Sequence, residues 1–241
     1  MNFCASWQYD EMQQVGTDYT DDTQVQAYDL RMQKLRDVKK ETENIIKTIK
    51  LGKNQKILEF GTGTGSFAME TAKHCAKVFA VDISPQMLEF ARQKAKIEGI
   101  DNIEFHNAGF LTYVHRGEPL DAIVSQLALH HLPDFWKMIA LKRIYQLLKN
   151  GGTFYLSDVV FSFPIEDYNY KIDNWIDTIK EKVGINFAEE AEMHIKEEYS
   201  TFDWIMEGLL KRAGFHIDKA EYSEDFMAVY VCIKGKSYVD Q

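Results

Sequence analysis

Three glycines at alternate positions mark the first stretch of the chain that could bind a ligand. Gly61, Gly63 and Gly65 directly follow the strand-like run ILEF at 57–60. Glycine lets a backbone come close to a ligand, and the first amides of the helix that follows then point toward it. Three alternating glycines exceed what a tight turn needs, so the sequence predicts a binding loop of the nucleotide-loop kind.

The residues around the glycines narrow the choice of ligand. A dinucleotide loop, G-x-G-x-x-G, would have its third glycine where this chain has Ser66. A Walker A phosphate loop is excluded because no GK[ST] follows. Glu59, just ahead of the glycines, would repel a pyrophosphate, but it could hold an ammonium group or fix the amides of the loop.

A second acidic residue ends the next strand-like run, KVFAVD. The carboxylate of Asp82 is placed to accept both hydroxyls of an adenosine ribose. An acid at this position would also suit a nicotinamide dinucleotide. The carboxylate of Glu59, however, would repel the pyrophosphate of that ligand. An adenosine joined to a cationic amino acid therefore fits the two acids better than an adenosine joined to a phosphate chain.

The elements that must position these residues alternate between strands and helices. Strand-like runs are KILEF, KVFAVD, NIEFH, DAIVSQ and TFYLSDVVF, and helical runs are GSFAMETAKHCA, SPQMLEFARQKAKIEG and DFWKMIALKRIYQLLKN. Such alternation implies right-handed crossovers and a parallel sheet. Two closing runs, HIDKAEY and FMAVYVCIK, predict an antiparallel hairpin. The predicted fold is α/β: a Rossmann-like, doubly wound, mostly parallel sheet with a C-terminal antiparallel hairpin.

Taken together, these features resemble the class I S-adenosylmethionine-dependent methyltransferases. The resemblance rests on the loop EFGTGTG, the acid that ends the second strand, the segment ALHHLPD after the fourth strand and the terminal hairpin. It covers residues 35–234 in architecture and is closest over 57–158. It implies S-adenosylmethionine as cofactor, S-adenosylhomocysteine as product and no metal ion, and it does not specify the methyl acceptor.

The resemblance assigns roles around the cofactor by position. The three glycines would surround its methionine part, Asp82 would bind the ribose and Ile83 would pack on the adenine. Ser125 and Gln126, at the end of the fourth strand, would lie beside the methionine. Tyr28, in the run AYD, resembles an element that covers the cofactor in many small-molecule members.

One position departs from the family pattern. An acid that reads the adenine amino group is expected after the third strand, where this chain has Asn107. An amide oxygen can still accept a hydrogen bond there, but without a charge. The backbone near Gly109 and Phe110 would share the task. The full predicted cofactor set is Tyr28, Glu59, Gly61, Thr62, Gly63, Gly65, Asp82, Ile83, Asn107, Gly109, Phe110, Ser125 and Gln126.

Methyl transfer from a sulfonium is an in-line displacement, so a protein mainly supplies positioning and, for a protonated acceptor, a base. His130 and His131 follow the fourth strand at the sheet edge where ligands bind in open α/β folds. Either could be that base, or either could bond a backbone turn. Asp158, which ends the fifth strand, is a rival base or a buried structural acid.

The choice of methyl acceptor is narrowed mainly by the absence of motifs that are typical of particular acceptor classes. The segment SQLALHH stands where nucleobase-amine and glutamine methyltransferases often have an Asn/Asp-Pro-Pro-aromatic run. Cys75 and Cys232 fall in apparent core elements, which argues against pyrimidine-carbon methylation by a thiolate. The aromatic segment at 161–200 could be a lid or an ordinary packed helix. Other residues that could face the site are Trp7, Tyr9, Asp10, Trp175, His194 and Tyr199.

Composition limits the remaining classes. The chain has 241 residues, a formal charge of -9 and 3 widely spaced cysteines. These values argue against a broad nucleic-acid surface, a disulfide framework or a zinc site. The absence of an apolar run of spanning length predicts no membrane association, and with no basic, apolar leader it predicts a cytoplasmic protein. The acidic run from Glu189 to Glu198 is most simply a solvated helix face.

The predicted organisation is a single domain: a helical cap at 1–50, a cofactor-binding core at 51–160, a lid or acceptor insert at 161–200, and a terminal helix and hairpin at 201–241. The predicted function is methyl transfer to a small-molecule O, N, S or C nucleophile. Alternatives are an RNA or protein methyltransferase, a non-catalytic cofactor-binding module and, more remotely, a nicotinamide oxidoreductase. A basic stretch of Lys34, Arg36, Lys39 and Lys40 is the main support for a macromolecular acceptor. The oligomeric state is open.

Overall fold

The computed structural model describes residues 6–13, Val25, Asp29 and 37–235. Tyr28, Lys34 and Arg36 therefore lie outside the described residues. The strands are β1 (Lys56–Phe60), β2 (Lys77–Asp82), β3 (Ile103–Asn107), β4 (Leu120–Gln126), β5 (Leu148–Phe161), β6 (Thr201–Phe202), β7 (Phe215–Ser223) and β8 (Met227–Lys234). The helices are α1 (Val38–Thr48), α2 (Ser66–Ala72), α3 (Pro85–Ile97), α4 (Asp134–Leu147), α5 (Tyr168–Val183), α6 (Ile185–Glu197) and α7 (Asp203–Ala213), with short 3₁₀ turns at Leu129–His131 and Ile165–Asp167.

One sheet organises these elements, in the order β3-β2-β1-β4-β5-β8-β7, with β6 beside β5. Strands β1 to β5 pair in parallel, whereas β8 runs antiparallel to both β5 and β7. The predicted α/β fold with its C-terminal hairpin is confirmed. The strand order reverses between β1 and β4, and in open sheets a ligand binds at the carboxyl edge beside such a reversal.

Alternating side chains of the strands build a core on each face of the sheet. Ile57 belongs to a cluster with Ile45 of α1 and Phe67 of α2. The next residue, Leu58, joins the opposite cluster with Leu141 of α4 and Leu210 of α7. Neighbouring side chains of a strand point to opposite faces, and a parallel sheet covered on both faces therefore reads as a continuous apolar run. This explains why KILEF contains so few polar residues.

Two helix boundaries differ from the sequence prediction. Helix α4 ends at Leu147 rather than running to the glycines at 151–152, because Leu148 already pairs with Leu120 in the sheet. Helix α2 is shorter than predicted: Asn102 Nδ2 donates to Ala72 O at 2.8 Å and closes the helix end. The aromatic segment at 161–200, for which a lid and a packed helix were both open, is largely helical and forms α5 and α6. In the part of the chain that the structure describes, no helix has the length and apolarity needed to cross a membrane.

Candidate active site

The glycine loop joins β1 to α2 and adopts a backbone that favours glycine. Gly61, Gly63 and Gly65 have φ values of 73°, 52° and 77°, all in the left-handed region. A Cβ on Gly61 would lie 2.5 Å from the Cβ of Ala128, and one on Gly65 would lie 2.9 Å from the Cβ of Ala91. A Cβ on Gly63 would meet nothing within 4 Å. Two glycines are therefore required by close packing, whereas the third faces open space.

Two carboxylates hold this loop in place. Asp82 accepts hydrogen bonds from Gly63 N at 2.7 Å and from Ser84 N at 2.9 Å, which ties the loop to the end of β2. Burial raises the pKa of Asp82, and these amides oppose the rise. Glu59 is buried and accepts a hydrogen bond from Thr62 Oγ1 at 2.6 Å. Glu59 thus supports the loop through the hydroxyl of Thr62.

A cavity of about 310 Å³ lies at the carboxyl edge of the sheet. The predicted cofactor residues that line it are Gly61, Gly63, Asp82, Ile83, Gly109, Phe110 and Gln126. A neighbouring cavity of about 280 Å³ is lined by Glu59 and Thr62, and it shares Gly61, Gly63 and Gln126 with the first. The structure therefore brings most of the predicted cofactor residues to one place.

Three predicted cofactor residues, Gly65, Asn107 and Ser125, line neither of the two cavities. Asn107 is exposed, and its Nδ2 donates to the backbone oxygens of Asp82 at 3.1 Å and Ile83 at 2.8 Å. Its amide nitrogen thus secures the end of β2. Ser125 is fully buried, and its Oγ has no hydrogen-bond partner among the described residues.

The two histidines predicted as bases differ in their surroundings. His130 is buried between two carboxylates: its Nδ1 lies 2.5 Å from Asp158 Oδ1, and its Nε2 lies 3.2 Å from Glu198 Oε2. His131 lies beside it, with ring centroids 4.4 Å apart, and its buried Nδ1 has no hydrogen-bond partner among the described residues. We call His130, His131, Asp158, His194 and Glu198 the histidine–carboxylate cluster.

Charge separates the two histidines further. Burial alone would lower the pKa of His130, but the two carboxylates outweigh it and raise the pKa to about 9. His130 is thus an imidazolium that donates from both nitrogens. Burial, and next the charge of His130, lower the pKa of His131 to about 4. His131 is therefore neutral near pH 7 and keeps a nitrogen lone pair.

Asp158 is a structural acid in this arrangement. Its Oδ2 accepts from Leu129 N at 2.9 Å and from His130 N at 3.2 Å, and its Oδ1 accepts from Val159 N at 2.8 Å. Burial works to raise its pKa, but the neighbouring His130 outweighs that effect and lowers it. The carboxylate therefore fixes both the turn after β4 and the ring of His130.

Glu198 is the residue that the sequence interpretation placed wrongly. We predicted the acidic run that ends with it to be a solvated helix face, but its side chain is only 6% exposed and contacts both His130 and His194. These contacts outweigh burial and lower the pKa of Glu198. His194 in turn lies with its Nε2 2.7 Å from Ser200 Oγ. The spacing of His194 and Glu198 by one helical turn was the available signal.

The insert and the N-terminal segment close the cavity from two sides. From the insert, Trp175 and His194 line it. From the N-terminal segment, Tyr9 lines it and donates from its hydroxyl to His131 O at 3.1 Å. Glu11, which the sequence interpretation missed, also lines it and accepts from Thr112 N at 2.7 Å. These contacts join distant parts of the chain to the sheet edge.

Other aromatic residues singled out in the sequence do not face the cavity. Phe161 and Phe163 pack against Phe226, with ring centroids 5.9 and 5.3 Å away. Tyr168 and Tyr170 are exposed. Trp7 stacks on Trp136, Asp10 is exposed, and Tyr199 donates its backbone N–H to His130 O at 2.9 Å. In the aromatic cluster of the insert, Phe161 and Phe163 therefore pack in the fold, the two tyrosines face solvent, and Trp175 lies in the cavity wall.

Comparison with known proteins supports one class of enzyme, the methyltransferases. The methyltransferase-domain family matches residues 57–152. An uncharacterized methyltransferase of Anoxybacillus flavithermus is 29% identical over 196 residues, which are 81% of this chain and 84% of the relative. A carboxy-S-adenosyl-L-methionine synthase of Nautilia profundicola is 28% identical over 189 residues, which are 76% of this chain and 79% of the relative.

Solved structures agree on the fold. A SAM-dependent methyltransferase from Aquifex aeolicus has a TM-score of 0.63 at 17% identity, with 89% of this chain and 98% of that chain covered. The N-methyltransferase NodS of Bradyrhizobium japonicum, bound to S-adenosyl-L-homocysteine, has a TM-score of 0.57 at 15% identity, with 82% and 86% covered. The family match, the relatives and the fold together support the predicted class, that of the class I S-adenosylmethionine-dependent methyltransferases.

Proposed function

We propose that this methyltransferase acts on a small-molecule nucleophile held in the cavity at the sheet edge. The observation that carries the proposal is that the glycine loop lines one cavity of about 310 Å³ together with four members of the histidine–carboxylate cluster, namely His130, His131, His194 and Glu198. The insert and the N-terminal segment form two of its walls, through Trp175 and Tyr9. A cavity of this volume is at the small end for ligand sites, so a cofactor would leave room only for a small acceptor.

The cofactor assignment is supported by the preorganisation of the loop. Asp82 is held by two backbone amides, so its carboxylate is oriented before a ribose arrives. Ile83 and Phe110 lie in the same wall and offer apolar surface to an adenine. Gly61 and Gly63 are the residues over which the methionine part would lie. In the reaction, the acceptor attacks the sulfonium methyl and the electron pair of the broken C–S bond stays on sulfur.

His131 is the better candidate of the two histidines for a base. Both nitrogens of His130 face carboxylates, whereas His131 keeps a nitrogen with no hydrogen-bond partner among the described residues. A protic acceptor would thus pass its proton to His131 as the methyl group is transferred. His130 would orient the wall around it.

The glycine loop allows a paired test of this assignment. Gly63→Ala should lower S-adenosylmethionine affinity at least tenfold, because its Cβ would project into the open space of the cavity where nothing lies within 4 Å. Gly61→Ala should instead destabilise the free protein by about 2–4 kcal/mol, because left-handed strain adds to a contact with Ala128. Calorimetric titration and urea unfolding measure the two effects. If the two variants had the same S-adenosylmethionine affinity and the same free energy of unfolding, the different roles assigned to Gly61 and Gly63 would be wrong.

The acceptor class is tested with methyl-labelled S-adenosylmethionine. The enzyme is incubated with separate small-molecule, RNA and protein fractions of a cell extract, and Asp82→Ala serves as the inactive control. We expect label in the small-molecule fraction, and only with the unaltered enzyme. Label confined to RNA or protein would overturn the proposal in favour of a macromolecular acceptor.

A further inference from the structure

Three side chains of the histidine–carboxylate cluster have the arrangement of a metal site. One ligand atom each of His130, His131 and Glu198 lies within 4.8 Å of the others. Ligands of a tetrahedral zinc ion, at bonds of roughly 2.1 Å, stand about 3.4 Å apart. His130 Nε2 and Glu198 Oε2 are already 3.2 Å apart. The ligand atom of His131 lies within 4.8 Å of the other two and would have to move closer to them to complete the set.

The surroundings of His130 match those of a metal-binding histidine. Metal-ligating imidazoles usually give their second N–H to a carboxylate, which fixes the ring and leaves the other nitrogen for the ion. Asp158 is in that position, 2.5 Å from His130 Nδ1, and it is itself held by backbone amides. His194 contacts the carboxylate of Glu198 in a comparable supporting role.

His131 supplies an independent observation. Its Nδ1 is buried and has no hydrogen-bond partner among the described residues, which is a costly state for a polar atom. A metal ion bound in this wall would satisfy such a nitrogen. The two carboxylates of Asp158 and Glu198 would also balance the two positive charges of the ion.

We propose that His130, His131 and Glu198 bind one divalent transition-metal ion, with Zn²⁺ as the best fit. Two imidazoles and one carboxylate form a donor set typical of catalytic zinc and leave at least one position open. The ion takes the place of the proton that His130 Nε2 shares with Glu198. The sequence interpretation expected no metal ion, because the resemblance implied none, and Glu198 is far along the chain from the adjacent pair His130 and His131.

The open coordination position gives the ion a role in the reaction, and this role rests on the proposed function. All three ligands line the cavity that also contains Asp82 and the glycine loop. An acceptor hydroxyl bound to the ion would release its proton to solvent water more easily, because the ion stabilises the anion. The ion, rather than the imidazole of His131, would then activate the acceptor.

Metal binding is tested directly, apart from activity. The full chain is treated with a chelator, dialysed and titrated with ZnCl₂ by calorimetry, and bound zinc is counted by mass spectrometry. We expect one ion per chain, and a loss of affinity of at least tenfold in both His131→Gln and Glu198→Gln. His216→Gln changes an exposed histidine of β7 and should bind as tightly as the unaltered chain. MgCl₂ should bind far more weakly, because Mg²⁺ prefers oxygen ligands.

The variants are checked for folding by S-adenosylmethionine binding and circular dichroism. His131→Gln is the safer variant, because no described hydrogen bond of the fold depends on its Nδ1. Zinc binding that is absent, or that is equal in the unaltered chain and both folded variants, would overturn the inference. Methyl transfer to a small molecule by a chain that does not bind zinc would contradict the metal site but not the proposed function. Zinc binding without transfer of label to any small molecule would contradict the proposed function but not the metal site.

Discussion

Asp158→Ala should destabilise the protein by about 3–5 kcal/mol, the usual cost of removing one partner of a buried ion pair. The side chain is fully buried, and the change would strand the imidazolium of His130. It would also remove the acceptor of three backbone amides, those of Leu129, His130 and Val159. Each buried donor left without an acceptor adds to the loss. Urea unfolding followed by circular dichroism measures the change.

Two further variants separate charge from hydrogen bonding at this position. Asp158→Asn keeps an oxygen that can accept from the backbone, so it should lose less stability than Asp158→Ala. Asp218→Ala changes an exposed acid on β7 and should leave the unfolding midpoint within experimental error. A loss below about 1 kcal/mol in Asp158→Ala would show that the carboxylate does not anchor the turn after β4.

Asp82→Ala should weaken S-adenosylmethionine binding by about 2–4 kcal/mol, or roughly thirtyfold to a thousandfold. Two ribose hydroxyls donating to one carboxylate form charge-assisted hydrogen bonds, which are stronger than neutral ones. The change also frees Gly63 N and Ser84 N, so the loop loses part of its orientation. Calorimetric titration with the cofactor gives the affinity.

Asp82→Asn is the matched control for this change. Its amide oxygen can still accept from Gly63 N, so it keeps more of the loop geometry while it removes the charge. We expect its affinity to fall between those of Asp82→Ala and the unaltered protein. If Asp82→Ala kept both its thermal midpoint and its affinity for S-adenosylmethionine, the assignment of Asp82 to the ribose would be wrong.

The fold and the cofactor loop were predictable because their signals are local. Alternating strand and helix runs indicated a parallel sheet, and the order of these runs implied the terminal hairpin. The glycines of the loop and the acid at the end of β2 are likewise read from a few neighbouring positions. Only element ends were misplaced, as at Leu147, where pairing in the sheet overrode a helical pattern.

The histidine–carboxylate cluster could not be predicted in the same way. His130 is 28 positions from Asp158 in the chain, and its other partner, Glu198, comes from the end of the insert. In the sequence only the spacing of Glu198 from His194 by one helical turn sets it apart from the neighbouring acids. Packing of α6 against the sheet edge buries it beside two histidines, where pairing offsets the cost of burying its charge.

The sequence by itself therefore determined the parallel sheet, the glycine loop and the acid at the end of β2, since these depend on residues close together in the chain. The tertiary structure alone decided that both nitrogens of His130 face carboxylates, one of them from Glu198. The reason is that burial and charge pairing arise only when distant segments pack. The donor set from which we infer a metal ion exists only at that level.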